Sequence, residues 1–82
     1  MYRILTEDLN RAGVYAILDS HVNSYTVTPA VGSWKGVRED AIAIDLVDVE
    51  PATVYAIAAE IKAANKQESV LVLGFKASAA FL

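Results

Sequence analysis

The residues with the most chemistry lie together in Gly32-Ser33-Trp34-Lys35-Gly36-Val37-Arg38-Glu39-Asp40. This stretch holds the only tryptophan, half of the glycines, two cations and two adjacent carboxylates. Turns are normally built from small polar residues, so a tryptophan set between glycines and charges marks an unusual one. Trp34 can stack on a base or another ring, stacking being worth ~1–3 kcal/mol. Lys35 and Arg38 suit a phosphate or carboxylate, Arg38 through its planar fork. Glu39 can accept from a ribose hydroxyl or a base amine, and Gly36 keeps the turn compact. A structural alternative has Trp34 packing over a neighbouring subunit, with Arg38 and Glu39 as an ion pair, since tryptophan and arginine are common at interface centres.

Two other polar clusters are candidates for the same work. Thr6, Glu7, Asp8, Asn10 and Arg11 stand where a strand passes into a helix. Ligands of open α/β sheets collect at such strand ends and helix N-termini, although such a run is more often simply a cap and a solvated turn. Asn65-Lys66-Gln67-Glu68 forms a connection in which Gln67 offers an amide to a ligand. His21 is the single histidine and the chain has no cysteine, so no metal-ligand set is expected. Catalysis has little to work with: there is no cysteine nucleophile, no Ser-His-Asp set with plausible spacing and no phosphate-cradling glycine loop. Glu39 and Asp40 are adjacent and on a strand point to opposite faces, which prevents them from sharing a proton.

These residues must be positioned by a chain of 82 residues, room for one domain spanning 1–82. Such a chain buries only about 60% of the surface its unfolded form exposes. Without cysteine it gains nothing from disulfides. Its apolar fraction of 55% exceeds the roughly 45–50% of soluble domains, which points to surface buried between subunits. A net charge of −3 with no cluster of Lys or Arg argues against polymeric nucleic acid, which needs several cationic phosphate contacts. The N-terminal residues have no apolar signal core, and no run reaches the ~20 apolar residues of a membrane span. A cytoplasmic protein with no membrane partner and no bound cofactor is the default expectation.

Along the chain, Tyr2 to Thr6 reads as a short strand. A helix from near Leu9, capped by Thr6 or Asp8, carries Val14, Ile17, Leu18, His21 and Val22 at spacings of three and four and ends near Val22. Gly13 within it would let the helix approach a sheet closely. Ser24 to Val31 alternates as a half-buried strand, and Pro29 confines it to an edge or a bulge. Ala41 to Val49 alternates Ile42, Ile44 and Leu46 against small apolar residues. Pro51 opens a second helix with a Val54, Ile57, Ala58, Ile61 stripe, and Asn65 closes it in the left-handed conformation. Ser69 to Phe75 is a strand apolar on both faces, followed by a small apolar tail from Lys76 to Leu82. The order β-α-β-β-α-β with right-handed crossovers predicts an α+β ferredoxin-like plait, an antiparallel sheet with both helices on one face. Its other face, with Ala41, Ala43, Val47 and one side of the last strand, has nothing in the chain to cover it, and such a patch marks an interface.

The chain resembles the PII-like superfamily of small trimeric plaits, which includes the nitrogen-regulatory P-II signalling proteins and the divalent-cation-tolerance proteins. The likeness rests on the strand–turn–strand bearing Lys35, Gly36 and Glu39, the Ile42-Ala43-Ile44 strand, the Val54 to Ala64 helix and the Asn65 to Ser69 link into a final apolar strand. It is also similar to small uncharacterised bacterial and phage proteins with a Gly-x-Trp-x-Gly-x-x-Glu hairpin, here Gly32, Trp34, Gly36 and Glu39. The resemblance implies a homotrimer with clefts between subunits that take adenine nucleotides or other small anions. The long nucleotide-binding loop of P-II and its basic residues are missing, so triphosphate sensing in the P-II manner is not expected. The leading expectation is non-enzymatic binding of a nucleotide-like or anionic metabolite by Trp34, Lys35, Gly36, Arg38, Glu39, Thr6, Glu7, Arg11 and Gln67. The alternatives are a structural or protein-interaction module that docks its partner through the Trp34 hairpin, and a small enzyme using Glu39 or Glu7 as a base.

Overall fold

In a computed structural model, which describes residues 1–75, the chain runs β1 (Tyr2–Glu7), α1 (Arg11–His21), β2 (Thr26–Trp34), β3 (Val37–Leu46), α2 (Pro51–Ala64), β4 (Leu71–Gly74). The tail from Lys76 to Leu82 lies outside the described residues. The four strands form one antiparallel sheet in the order β2-β3-β1-β4. That order, with two helices between the strands, is compatible with a ferredoxin-like plait. Strand β2 takes the edge that Pro29 requires, because its missing N–H leaves no gap in an interior ladder there.

Alternation along the strands decides which face is buried. Ile4 on β1 lies opposite Ile44 on β3, and these side chains, with Ile42 and Leu46, are fully buried under the helices. Val14 and Leu18 of α1 and Val54, Ile57, Ala58 and Ile61 of α2 complete the core, each fully apolar side chain contributing ~1.5–3 kcal/mol through burial. The α2 stripe is the one its spacing predicts. His21 instead lies exposed on the last turn of α1 and pairs with Glu60 of α2, tying the helices together on their outer side.

Both helix ends differ from expectation in ways that local chemistry explains. The N-cap of α1 is Asn10, whose side chain accepts from the Gly13 N–H at 3.1 Å, while Asp8 instead holds Arg11 at 2.6 Å. The reason for Gly13 is this cap and not approach to the sheet: a Cβ at Gly13 would stand 2.4 Å from the Asn10 amide. At the end of α2, Asn65 keeps a helical conformation and Lys66 takes the left-handed one (φ 52). The Gln67 N–H then reaches Lys62 O at 3.0 Å and the Lys66 N–H reaches Ala63 O at 3.3 Å, the paired bonds of a Schellman closure. This closure turns the chain so that Gln67 faces the end of β1.

The largest departure lies in the tryptophan stretch, where strand replaces most of the expected turn. Both strands run on beyond their expected ends, Trp34 pairs with Val37, and only Lys35 and Gly36 form the turn. Both have positive φ (50 and 77), as a two-residue turn matched to strand twist requires. Strand β1 stops at Glu7 opposite Ala41, so from Gly32 to Glu39 the two strands pair only with each other. They form a ribbon that continues about 10 Å past the four-stranded sheet, at ~3.3 Å per residue.

Candidate functional site

The sheet face away from the helices carries Leu5 and Glu7 of β1, Gly32 and Trp34 of β2, and Val37, Glu39, Ala41 and Ala43 of β3. At the far end of that face Arg3 lies directly opposite Asp45 and bonds it at 2.6 and 3.0 Å, with the guanidinium 5.8 Å from the centre of the Phe75 ring. The carboxylate raises the Arg3 pKa, chiefly by hydrogen bonding and then by charge. That end of the face is therefore occupied by a satisfied ion pair.

The other end opens into a cleft of ≈ 400 Å³. Its walls are the ribbon on one side and the α2–β4 link on the other, with the end of β1 between them. Leu5, Ala41 and Leu71 supply an apolar floor, and Trp34, 47% exposed, supplies an aromatic wall. Glu7, Glu39 and Glu68 bring carboxylates, and Lys66 is the cation among the lining residues. Glu7 and Glu39 are half-buried and form no ion pair among the described residues. They project from the same face at diagonal positions on neighbouring strands, a spacing of roughly 7 Å.

One hydrogen bond sets the position of the link. The Thr6 hydroxyl, 4% exposed, donates to Gln67 Oε1 at 2.6 Å, and the same oxygen accepts from Asn65 Nδ2 at 3.4 Å. A second tie crosses from the ribbon: Lys35 Nζ donates to both oxygens of Glu68 at 3.0 and 3.2 Å. Its ammonium also stands 5.9 Å from the centre of the Trp34 ring. Both partners of the Lys35–Glu68 pair are 67% exposed, so the tie contributes at most about 1 kcal/mol.

Of the residues singled out in the sequence, Trp34, Glu39, Thr6, Glu7 and Gln67 come together around this cleft. Lys35 and Gly36 form the turn at the ribbon tip, and Lys35 reaches the cleft only through Glu68. Arg38 lies opposite Ser33, exposed and outside the lining, and its neighbour Glu39 falls on the other face of the strand, so the Arg38–Glu39 ion pair does not form. Arg11 is held by Asp8 on the first turn of α1, which raises its pKa by hydrogen bonding and then by charge, and it does not line the cleft. Sequence reasoning placed Glu68 in a candidate cluster without a role of its own, and missed Ser69 and the apolar floor. Leu71 was legible as one side of a two-sided strand and Leu5 as part of a short one, but nothing in the chain order says that their outward faces meet the ribbon.

A second hollow of ≈ 360 Å³ lies at the opposite end of the fold, between Asn23-Ser24 and the Asp48-Val49-Glu50 turn. Among the described residues, no group of three or more His, Asp or Glu side chains is placed to hold a metal ion. No helix among them is long and apolar enough to cross a membrane. Comparison with known protein families, curated proteins and solved structures finds no match.

Proposed function

We propose that the protein binds a small ring-bearing molecule, without catalysing its reaction, in the cleft between the Trp34 ribbon and the α2–β4 link. The observation that carries this reading is the convergence of an exposed tryptophan face and two half-buried, unpaired carboxylates on one hollow of ≈ 400 Å³. Ligand sites are hollows of about this size with an apolar lining and a few polar groups that fix orientation. A nucleoside fits that description through its base on Trp34 and its hydroxyls on Glu39 or Glu7. The phosphate of a nucleotide finds less support, since Arg11 is engaged by Asp8 and Lys35 by Glu68.

The same reading includes a PII-like homotrimer. The ribbon is a two-stranded extension with Val31, Trp34 and Val37 at 66%, 47% and 61% exposure, and isolated hairpins are marginally stable in water. Further subunits would cover it together with Leu71, and would bring a neighbouring wall up to the cleft. This exposure also favours a second reading, in which the ribbon docks a different protein. Titration of Trp34 emission with nucleosides, nucleotides and aromatic amines, paired with melting shifts, tests the ligand reading. A response that Trp34→Ala abolishes supports it, and silence across the panel removes it. Light scattering that returns the monomer mass of 8.8 kDa would overturn the trimer.

A further inference from the structure

Given that the cleft is a ligand site, on which this inference rests, we infer that it selects an organic cation, a ring or short alkyl chain bearing an ammonium group, over anions of the same shape. Among the described residues Arg3 is paired with Asp45, Arg11 with Asp8 and Lys35 with Glu68, while Arg38 and Asp40 stand on the opposite face of β3 and Lys66 lines the cleft without an ion pair. Glu7 and Glu39 are the half-buried acids without an ion pair among the described residues, and both line the cleft on the face that carries Trp34. Two like charges on neighbouring strands repel each other, and a cation placed between them relieves that repulsion. An anion entering the same space meets both carboxylates with Lys66 alone to offset them.

The chain itself supplies an example of the recognition. The Lys35 ammonium lies 5.9 Å from the centre of the Trp34 ring and is held at 3.0 Å by the Glu68 carboxylate. An ammonium over an indole face with a carboxylate beside it is the arrangement that the quadrupole of the ring favours. Glu39 and Glu7 lie on the same sheet face as Trp34, Glu39 at the diagonal position in the β2–β3 ladder, so a cation that enters the cleft meets the ring with carboxylates beside it. The ligand's ammonium takes the position between these carboxylates, and its ring or alkyl part lies along Trp34 and the Leu5 and Leu71 floor.

Three probes of one shape and different charge test this: 2-phenylethylammonium, 2-phenylethanol and phenylacetate. Trp34 is the sole tryptophan, so its emission, excited where tyrosine does not absorb, reports binding directly. The expected order of affinity is ammonium, alcohol, carboxylate, with about tenfold between the extremes because each exposed charge contact is worth a few-fold. Glu39→Gln and Glu7→Gln should each lower ammonium affinity about threefold and alcohol affinity by less, and an unchanged far-UV circular dichroism spectrum and melting temperature certify the variant's fold. Raised salt should compress the order. Equal binding of the three probes, a preference for phenylacetate, or a preference that survives both substitutions overturns the inference and leaves the ligand site standing. Absence of any response in emission or melting removes the ligand site and the inference with it.

Discussion

The Thr6–Gln67 hydrogen bond ties the α2–β4 link to the end of β1 beside the cleft, and its removal has an asymmetric cost. Thr6 is 4% exposed and its hydroxyl donates at 2.6 Å; the next acceptor, Glu7 O, lies at 3.5 Å. Thr6→Val deletes the donor and keeps the shape. Gln67 is half-buried and regains water, so the loss is the net value of one hydrogen bond, about 1 kcal/mol. Gln67→Ala leaves a buried hydroxyl with only the long contact to Glu7 O, and an unsatisfied buried donor costs about 1–3 kcal/mol. The double variant removes both groups, so it should lie close to Gln67→Ala or above it, with a coupling energy of about 1 kcal/mol. In a domain of this size each kcal/mol corresponds to roughly 4–8 °C in Tm. Urea unfolding followed by far-UV circular dichroism, repeated at several protein concentrations to separate folding from association, measures all three. Additive effects, or a Gln67→Ala variant less harmed than Thr6→Val, would refute the bridge as the link's anchor.

Three further outcomes follow from local geometry. Asn10→Ala should cost about 1 kcal/mol as a lost cap, and Gly13→Ala should be close to neutral because the gain in helix propensity is offset by displacement of the Asn10 amide. On the Asn10→Ala background Gly13→Ala should therefore stabilise by about 1 kcal/mol, and urea unfolding of the four proteins shows whether the two sites are coupled. The Tyr25 hydroxyl donates to Asp19 at 2.7 Å, and this bond, with burial and then the carboxylate charge, raises the Tyr25 pKa. A folded pKa above the unfolded value means stability that is complete below about pH 10 and falls as the pH rises further. Tyr25→Phe should lose part of that alkaline decline in a series of melts from neutral to alkaline pH. Lys66→Gly should stabilise by about 0.5–1 kcal/mol because φ 52 costs a side-chain-bearing residue and not glycine, an effect that calorimetry resolves.

Period and punctuation made most of the fold legible. The three- and four-residue spacing of Val54, Ile57, Ala58 and Ile61 and the two-residue alternation of Ile42, Ile44 and Leu46 are patterns that only one burial arrangement satisfies. Pro29 could stand only at an edge. Boundaries were less legible where two side chains compete for one backbone group: Asn10 won the α1 cap from Asp8 because Asp8 had Arg11 to hold. The extent of the hairpin's turn was not legible, because the glycines and charges of Gly32 to Asp40 resemble turn chemistry while strand pairing, a long-range property, continues through them to Trp34 and Val37.

The sequence by itself determined which residues could serve a site: the lone tryptophan, the strand-end Thr6 and Glu7, Glu39 and the amide of Gln67. Tertiary structure decided which of them meet. Gln67 is 61 residues from Thr6 along the chain, and their bond exists because the closure of α2 aims the link at the end of β1. Lys35 and Glu68, 33 residues apart, pair across the cleft, and that pairing partly offsets the hairpin's lysine while Glu7 and Glu39 have no ion pair among the described residues. The sign of the site's charge therefore depended on which side chains were already spent on one another. Charge pairing between distant segments is a property of the packed chain, and no local pattern encodes it.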